Sequence, residues 1–138
     1  MLRIVKLTDY ATLLLTHLSR NGGELASAQC LAGELGLPAP TVAKILKRLA
    51  RAELVRSQRG VNGGYCLTRA PEMISLAQVV AAIEGPVALT ECALGGGNCA
   101  LERACTTRSH WQSISQTVLG TLESLSIADM AAPMPRKE

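Results

Sequence analysis

Residues 40–52 constrain the fold more than any other stretch of the chain. Val42, Ile45, Leu46 and Leu49 recur at helical spacing and make one apolar stripe. Thr41, Lys44, Arg48 and Arg51 fall on another face, with Lys47 at its edge. Pro40 is expected at the first helical position, where its missing N–H costs nothing. Such a helix must dock its stripe on other elements while its cations face outward. The preceding residues supply those elements. Ser27 is placed to cap a short helix running through Leu35, Gly36 closes it, and Pro38-Ala39-Pro40 makes a tight turn. Further upstream, a helix is expected from a Thr8 cap, with Ala11, Leu14, Leu15 and Leu18 on one face and Asn21-Gly22-Gly23 as its end. Two helices, a tight turn and a basic amphipathic helix form the helix-turn-helix pattern.

Downstream, Leu54-Val55-Arg56-Ser57 and Gly64-Tyr65-Cys66-Leu67-Thr68 read as strands around Arg59-Gly60-Val61-Asn62-Gly63. A hairpin with an Asn-Gly turn and an arginine near its tip is the expected wing. Ser75-Leu76-Ala77-Gln78 matches a capping box that opens a helix to about Glu84, and Gly85-Pro86 stops it. Residues 85–105 read as a loop holding Gly95-Gly96-Gly97. A long helix then runs to about Leu125. Its Trp111, Ile114, Val118 and Leu125, supported by Leu122, form a stripe that predicts packing on a second copy of the chain. Ser126 is placed to cap a last short helix through Asp129 before a Pro-rich tail.

The expected class is therefore mainly α with a small β-hairpin: a winged helix-turn-helix plus a long C-terminal dimerisation helix. The boundaries read as 1–84 for the DNA-binding domain, 85–106 for a cysteine-rich loop, 107–130 for the dimerisation and terminal helices, and 131–138 for a flexible tail.

The placement of charge points to a polyanion. Between Pro40 and Ala70 stand Lys44, Lys47, Arg48, Arg51, Arg56, Arg59 and Arg69 against one acid, Glu53, although the net charge of the chain is only +3. Aromatic residues make up 2%, with no Phe, which disfavours single-strand modules built on base stacking and leaves duplex DNA open. A basic helix alone is as well read as solvated surface. Joined to the capped helix, the turn and the glycine-rich wing, it is read as a recognition helix. Thr41 and Lys44 are expected near bases, Lys47, Arg48 and Arg51 near phosphates, and Arg59 and Asn62 on the wing. No apolar run approaches a bilayer span, so a cytoplasmic, membrane-free protein is expected. No phosphate-binding loop or nucleophile–base pair suggests an enzyme, and no small-molecule substrate is expected.

Cys92, Cys99 and Cys105 are spaced Cys-x6-Cys-x5-Cys in the glycine-rich loop. Three thiolates on a pliable loop suit a soft metal or redox centre, although the spacing matches neither structural zinc pairs nor ferredoxin runs. Cys30 and Cys66 are expected to be small buried apolar residues, and His17 to be structural or exposed. His110, five residues after Cys105, is a possible ligand.

Leu7-Thr8-Asp9-Tyr10-Ala11, the wing Arg59-Gly60-Val61-Asn62-Gly63-Gly64-Tyr65 and the three-cysteine loop together resemble the Rrf-two family of bacterial regulators. The likeness is to its iron–sulfur members of the IscR, NsrR and SUF-operon kinds, and is nearest the last. It covers about Met1 to Asp129. The resemblance implies a homodimer with crossing long helices, binding a double-stranded operator, with an iron–sulfur cluster held by Cys92, Cys99 and Cys105. IscR-like members place a histidine where this chain has Arg108. NsrR-like members use a first-helix aspartate from the other subunit, and Asp9 matches it. Asp9 of the partner subunit is thus favoured over His110 as fourth ligand, and 4Fe–4S over 2Fe–2S. Position 43 is Ala where IscR-like members carry an acid. By resemblance, the chain represses iron–sulfur assembly genes according to cluster supply or oxidative stress. A nitric-oxide-sensing repressor of the NsrR kind is the alternative, and a zinc-containing protein-interaction module is the alternative of another class.

Overall fold

The structure, a computed structural model, describes residues 2–97 and 99–134. Helix α1 (Lys6–Ser19) places Ala11, Leu14 and Leu15 fully out of solvent. It begins earlier than the expected Thr8 cap. Val5, in extended backbone, precedes it, and the Val5 carbonyl accepts the Thr8 and Asp9 amides. Thr8 is buried instead, with its hydroxyl directed away from the helix end. Helix α2 (Ala28–Leu35) is capped as expected, Ser27 Oγ accepting the Cys30 amide, and Gly36 closes it. Helix α3 (Ala39–Arg51) follows with Pro38 as its cap, so Pro40 sits second rather than first. Its Val42, Ile45, Leu46 and Leu49 are all completely buried and join α1 and α2 in one core.

Strands β1 (Val55–Gln58) and β2 (Gly64–Leu67) pair antiparallel, Val55 opposite Leu67 and Gln58 opposite Gly64. The turn differs from the expected Asn-Gly type. The Gly63 amide donates to the Gly60 carbonyl at 3.0 Å, so Val61 and Asn62 form its centre. The wing is also anchored by residue 26. Ala26 and Tyr65 exchange both backbone hydrogen bonds, at 3.0 and 2.8 Å. Gly64 permits this approach, because a Cβ there would stand 2.6 Å from the Ala26 carbonyl oxygen.

A 3₁₀ turn (Pro71–Met73) leads to α4 (Leu76–Glu84), which has the expected reciprocal capping box of Ser75 and Gln78. A second 3₁₀ turn (Glu91–Leu94) lies in the cysteine loop before α5 (Arg108–Ser124), about 25 Å long. Helix α6 (Ile127–Ala131) has its own capping box, Ser126 with Asp129, and buries Ile127 completely. Backbone bonds from Leu76 to Leu125 and from Ile127 to Ile74 stitch the end of α5 to the start of α4. Ala131 closes α6, so the tail expected from residue 131 begins later, and residues 135–138 lie outside the described residues.

The α5 stripe divides. Val118 and Leu122 are half-buried and share a groove with Val80 of α4, whereas Trp111 and Ile114 are 42% and 44% exposed. No helix among the described residues is long and apolar enough to cross a membrane.

Candidate nucleic-acid interface and cysteine loop

The face of α3 opposite its buried stripe carries Lys44, Lys47 and Arg51, all exposed, with Thr41 half-buried near the helix start. Arg59 and Asn62 are exposed on the wing, and Val61 at its tip is fully solvated. A cleft between the start of α2 and the wing is lined by Ser27, Ser57, Gln58 and Arg59. Arg48 stands apart from the other cations. It is half-buried, and its Nη1 donates to the Ile83 carbonyl of α4 at 3.2 Å.

Arg56 of β1 points its Nε at the sulfur of buried Cys66, at 3.1 Å, and that contact raises the Arg56 pKa further. Cys66 is buried as expected. Cys30 is not: it is exposed on α2, where its thiol donates to Glu34 Oε1 at 3.4 Å. The expectation of burial failed because Cys30 lies on the side of α2 away from Leu31 and Ala32, the helix's buried residues. His17 Nε2 donates to the other Glu34 oxygen at 2.5 Å, bridging α1 and α2.

In the cysteine loop, Cys92 is half-buried while Cys99 and Cys105 are exposed. Among the described residues no three His, Cys, Asp or Glu side chains are grouped closely enough to hold a metal ion. Cys92, Cys99, Cys105, Asp9 and His110 thus form no three-ligand group among the described residues of one chain. Asp9 is exposed beside a groove of about 300 Å³ at the meeting of α1, α4, α5 and α6, and His110 is exposed near the start of α5. The loop backbone is adaptable, since Gly95, Gly96 and Gly97 all take positive φ (123°, 85° and 91°). The Thr107 hydroxyl, with a smaller effect from Arg108, holds the Cys105 thiol below its ordinary pKa. Glu102 accepts the Gly97 amide at 2.7 Å, yet its other oxygen and Arg108 Nε are buried without a partner. Soft donors, a nearby guanidinium and unsatisfied polar atoms make the loop chemically suited to an anionic thiolate-ligated group.

Two polar residues of α5 that the apolar stripe concealed hold this loop. Ser115, the buried residue of the helix, accepts the Leu89 amide at 3.1 Å. Gln112 donates to the Cys92 carbonyl at 3.3 Å. The sequence carried no signal that singles them out, because residues 112–117 are polar except for Ile114.

Comparison with known proteins agrees with this geometry. The profile of the family described as Rrf2, iron-dependent transcriptional regulator, matches residues 4–133. Protein aau3 of Rhizobium meliloti is 31% identical over 136 residues, covering 98% of this chain and 88% of that protein. The HTH-type transcriptional repressor NsrR of Streptomyces coelicolor is 29% identical over 133 residues, covering 95% and 89%. Among solved structures, CymR of B. subtilis, the global cysteine regulator, superposes with a TM-score of 0.73 at 26% identity, covering 95% of this chain and 97% of that one.

Proposed function

The chain belongs to the Rrf2 family of transcriptional regulators, and from that premise we propose that it represses transcription as a homodimer on a two-fold operator in response to an iron–sulfur cluster. It is a regulator, not an enzyme, as its relatives are. The observation that carries the DNA-facing part is α3 itself. Four fully buried apolar side chains hold it, while Lys44, Lys47 and Arg51 are left exposed, as are Arg59 and Asn62 on the wing. Two such helices related by a dimer axis would enter successive major grooves about 34 Å apart. In this reading residues 1–84 bind DNA, 85–106 sense, and 107–130 dimerise through the exposed Trp111 and Ile114.

The sensing part rests on the donor set. Cys92, Cys99 and Cys105 would hold the cluster, with Asp9 of the partner subunit completing it and His110 as the local competitor. A cluster bound there supplies iron–sulfur redox chemistry and lability toward oxidants or nitric oxide. Thr107 keeps Cys105 disposed to ionise, as a thiolate ligand must be, and Arg108 offsets the accumulating negative charge. Gln112 and Ser115 tie the loop to α5, so its ordering bears on the dimer helix. By the sequence resemblance to the SUF-operon regulators, iron–sulfur assembly genes are the proposed targets.

Protein purified without oxygen tests the proposal. It is expected to be brown, with stoichiometric iron and sulfide, and to lose colour and change operator affinity in air or nitric oxide. Alanine at Cys92, Cys99 and Cys105 should abolish both. A colourless protein that resists reconstitution would exclude the cluster and leave a regulator that senses by zinc or by thiol chemistry alone.

A further inference from the structure

Two side chains from different helices converge on the last turn of α4. Arg48, past the middle of α3, donates to the Ile83 carbonyl at 3.2 Å. That carbonyl lies among the last four of the helix, which lack intrahelical partners, and a cation there also meets the negative end of the helix dipole. From α1, Thr8 donates its hydroxyl to Glu84 Oε2 at 2.7 Å. Thr8 is only 1% exposed, so this bond satisfies a polar group shut away from water. The apolar stripe of α3 sets which face is buried and how close the helix lies to its neighbours, and a directional polar contact can refine that setting. A guanidinium bonded to a carbonyl is directional. Arg48 is also the one cation of α3 that is half-buried, while Lys44, Lys47 and Arg51 are exposed.

We propose that Arg48 is a positioning residue rather than a phosphate contact, and that the end of α4 is a shared anchor through which Arg48 and Thr8 set the roll of the recognition helix against α1. The anchor lies between two regions of interest. Thr8 adjoins Asp9, and α4 runs through Gly85 and Pro86 into the cysteine loop. A shift at either place moves the turn that holds Arg48. The proposal rests on the DNA-facing reading of α3 and is independent of any cluster.

Operator binding by the full-length chain, measured across a salt series for Arg48→Ala, Thr8→Val, their double variant and Lys44→Ala, tests it. Removing one phosphate-neutralising cation lowers the slope of log affinity against log salt by about 0.9, or about 1.8 for both subunits. Arg48→Ala and Thr8→Val are expected to weaken binding by about tenfold each, the net value of a hydrogen bond, with the slope unchanged. Both should also blunt discrimination against operators whose half-sites are spaced one base pair too far apart. The double variant should bind no more weakly than the poorer single one, because both substitutions release the same turn. Thr8→Val keeps its shape, so the anchor stays testable even if Arg48→Ala folds poorly. A reduced slope for Arg48→Ala would make it a phosphate contact and overturn the proposal, as would unchanged spacing preference or losses that multiply. If Lys44→Ala also leaves the slope unchanged, the DNA-facing reading of α3 falls, and the proposal with it.

Discussion

Cys30, Glu34 and His17 show how one carboxylate can set two neighbours at once. Glu34 accepts from the histidine ring and from the thiol, and these two bonds hold its carboxyl below the usual carboxylate range. The same contact works in the opposite direction on Cys30. Its thiol is pushed above the ordinary value by donating to Glu34, and a thiolate there would be repelled by the carboxylate. Cys30 is therefore expected to be an exposed but sluggish thiol. Its alkylation by iodoacetamide should set in at higher pH than that of a free cysteine, and Glu34→Gln should move the onset back down. The sign for Glu34 is the reverse. Its contribution to the α1–α2 contact is present above the ordinary carboxylate pKa and is lost as pH falls through the lowered value. Both groups are solvent-exposed, so the effect is read in reactivity rather than in stability.

At the scale of elements, capping and patterning decide where helices begin and which face they bury. Ser75→Ala removes half of a reciprocal capping box at the start of α4 and is expected to cost about 1 kcal/mol in urea unfolding, with an unchanged m-value. Leu46→Ala opens space beneath the recognition helix at a completely buried position and should cost about 2–5 kcal/mol by the same measurement. On the outward face, Arg59→Ala should leave stability unaffected, since the side chain is exposed on the wing. It is expected instead to weaken operator binding and to flatten its salt dependence by about 0.9 for each phosphate no longer neutralised. Equal salt slopes for this variant and the unaltered chain would remove the wing from the DNA interface.

For the whole molecule the deciding feature is α5. Ser115 is the buried residue of this 17-residue helix, and its Trp111 and Ile114 remain largely in solvent. These two exposed apolar side chains, with half-buried Val118 and Leu122 farther along, are the surface on which the proposed dimer would close. Ile114→Glu is expected to turn a dimer into monomers in sedimentation velocity while helicity persists. The thermal midpoint of the unaltered chain should rise with its concentration, and that of the variant should not. A concentration-independent midpoint together with a monomeric mass for the unaltered chain would rule out α5 as the dimer seam.

What the sequence determined by itself is what local physics controls. Helical spacing placed Val42, Ile45, Leu46 and Leu49 inside, and the short polar side chains of Ser27, Ser75 and Ser126 marked three helix starts. Each of these depends on residues within a few positions of one another, so the pattern is readable before the chain folds. Family motifs added the likeness of the wing and the cysteine triplet. What only the tertiary structure decided involves partners distant along the chain. Thr8 is legible as a cap until Glu84, 76 residues away, takes its hydroxyl. Arg48 reads from the sequence as one more cation of the outward face, and only the fold shows that one of its donors meets the Ile83 carbonyl, 35 residues away. Cys30 reads as buried until the packing of Leu31 and Ala32 leaves it outside, and only the fold shows that Val118 and Leu122 share a groove with Val80. In each case a group distant along the chain, with a hydrogen bond to make or an apolar surface to cover, added a partner that local spacing does not reveal.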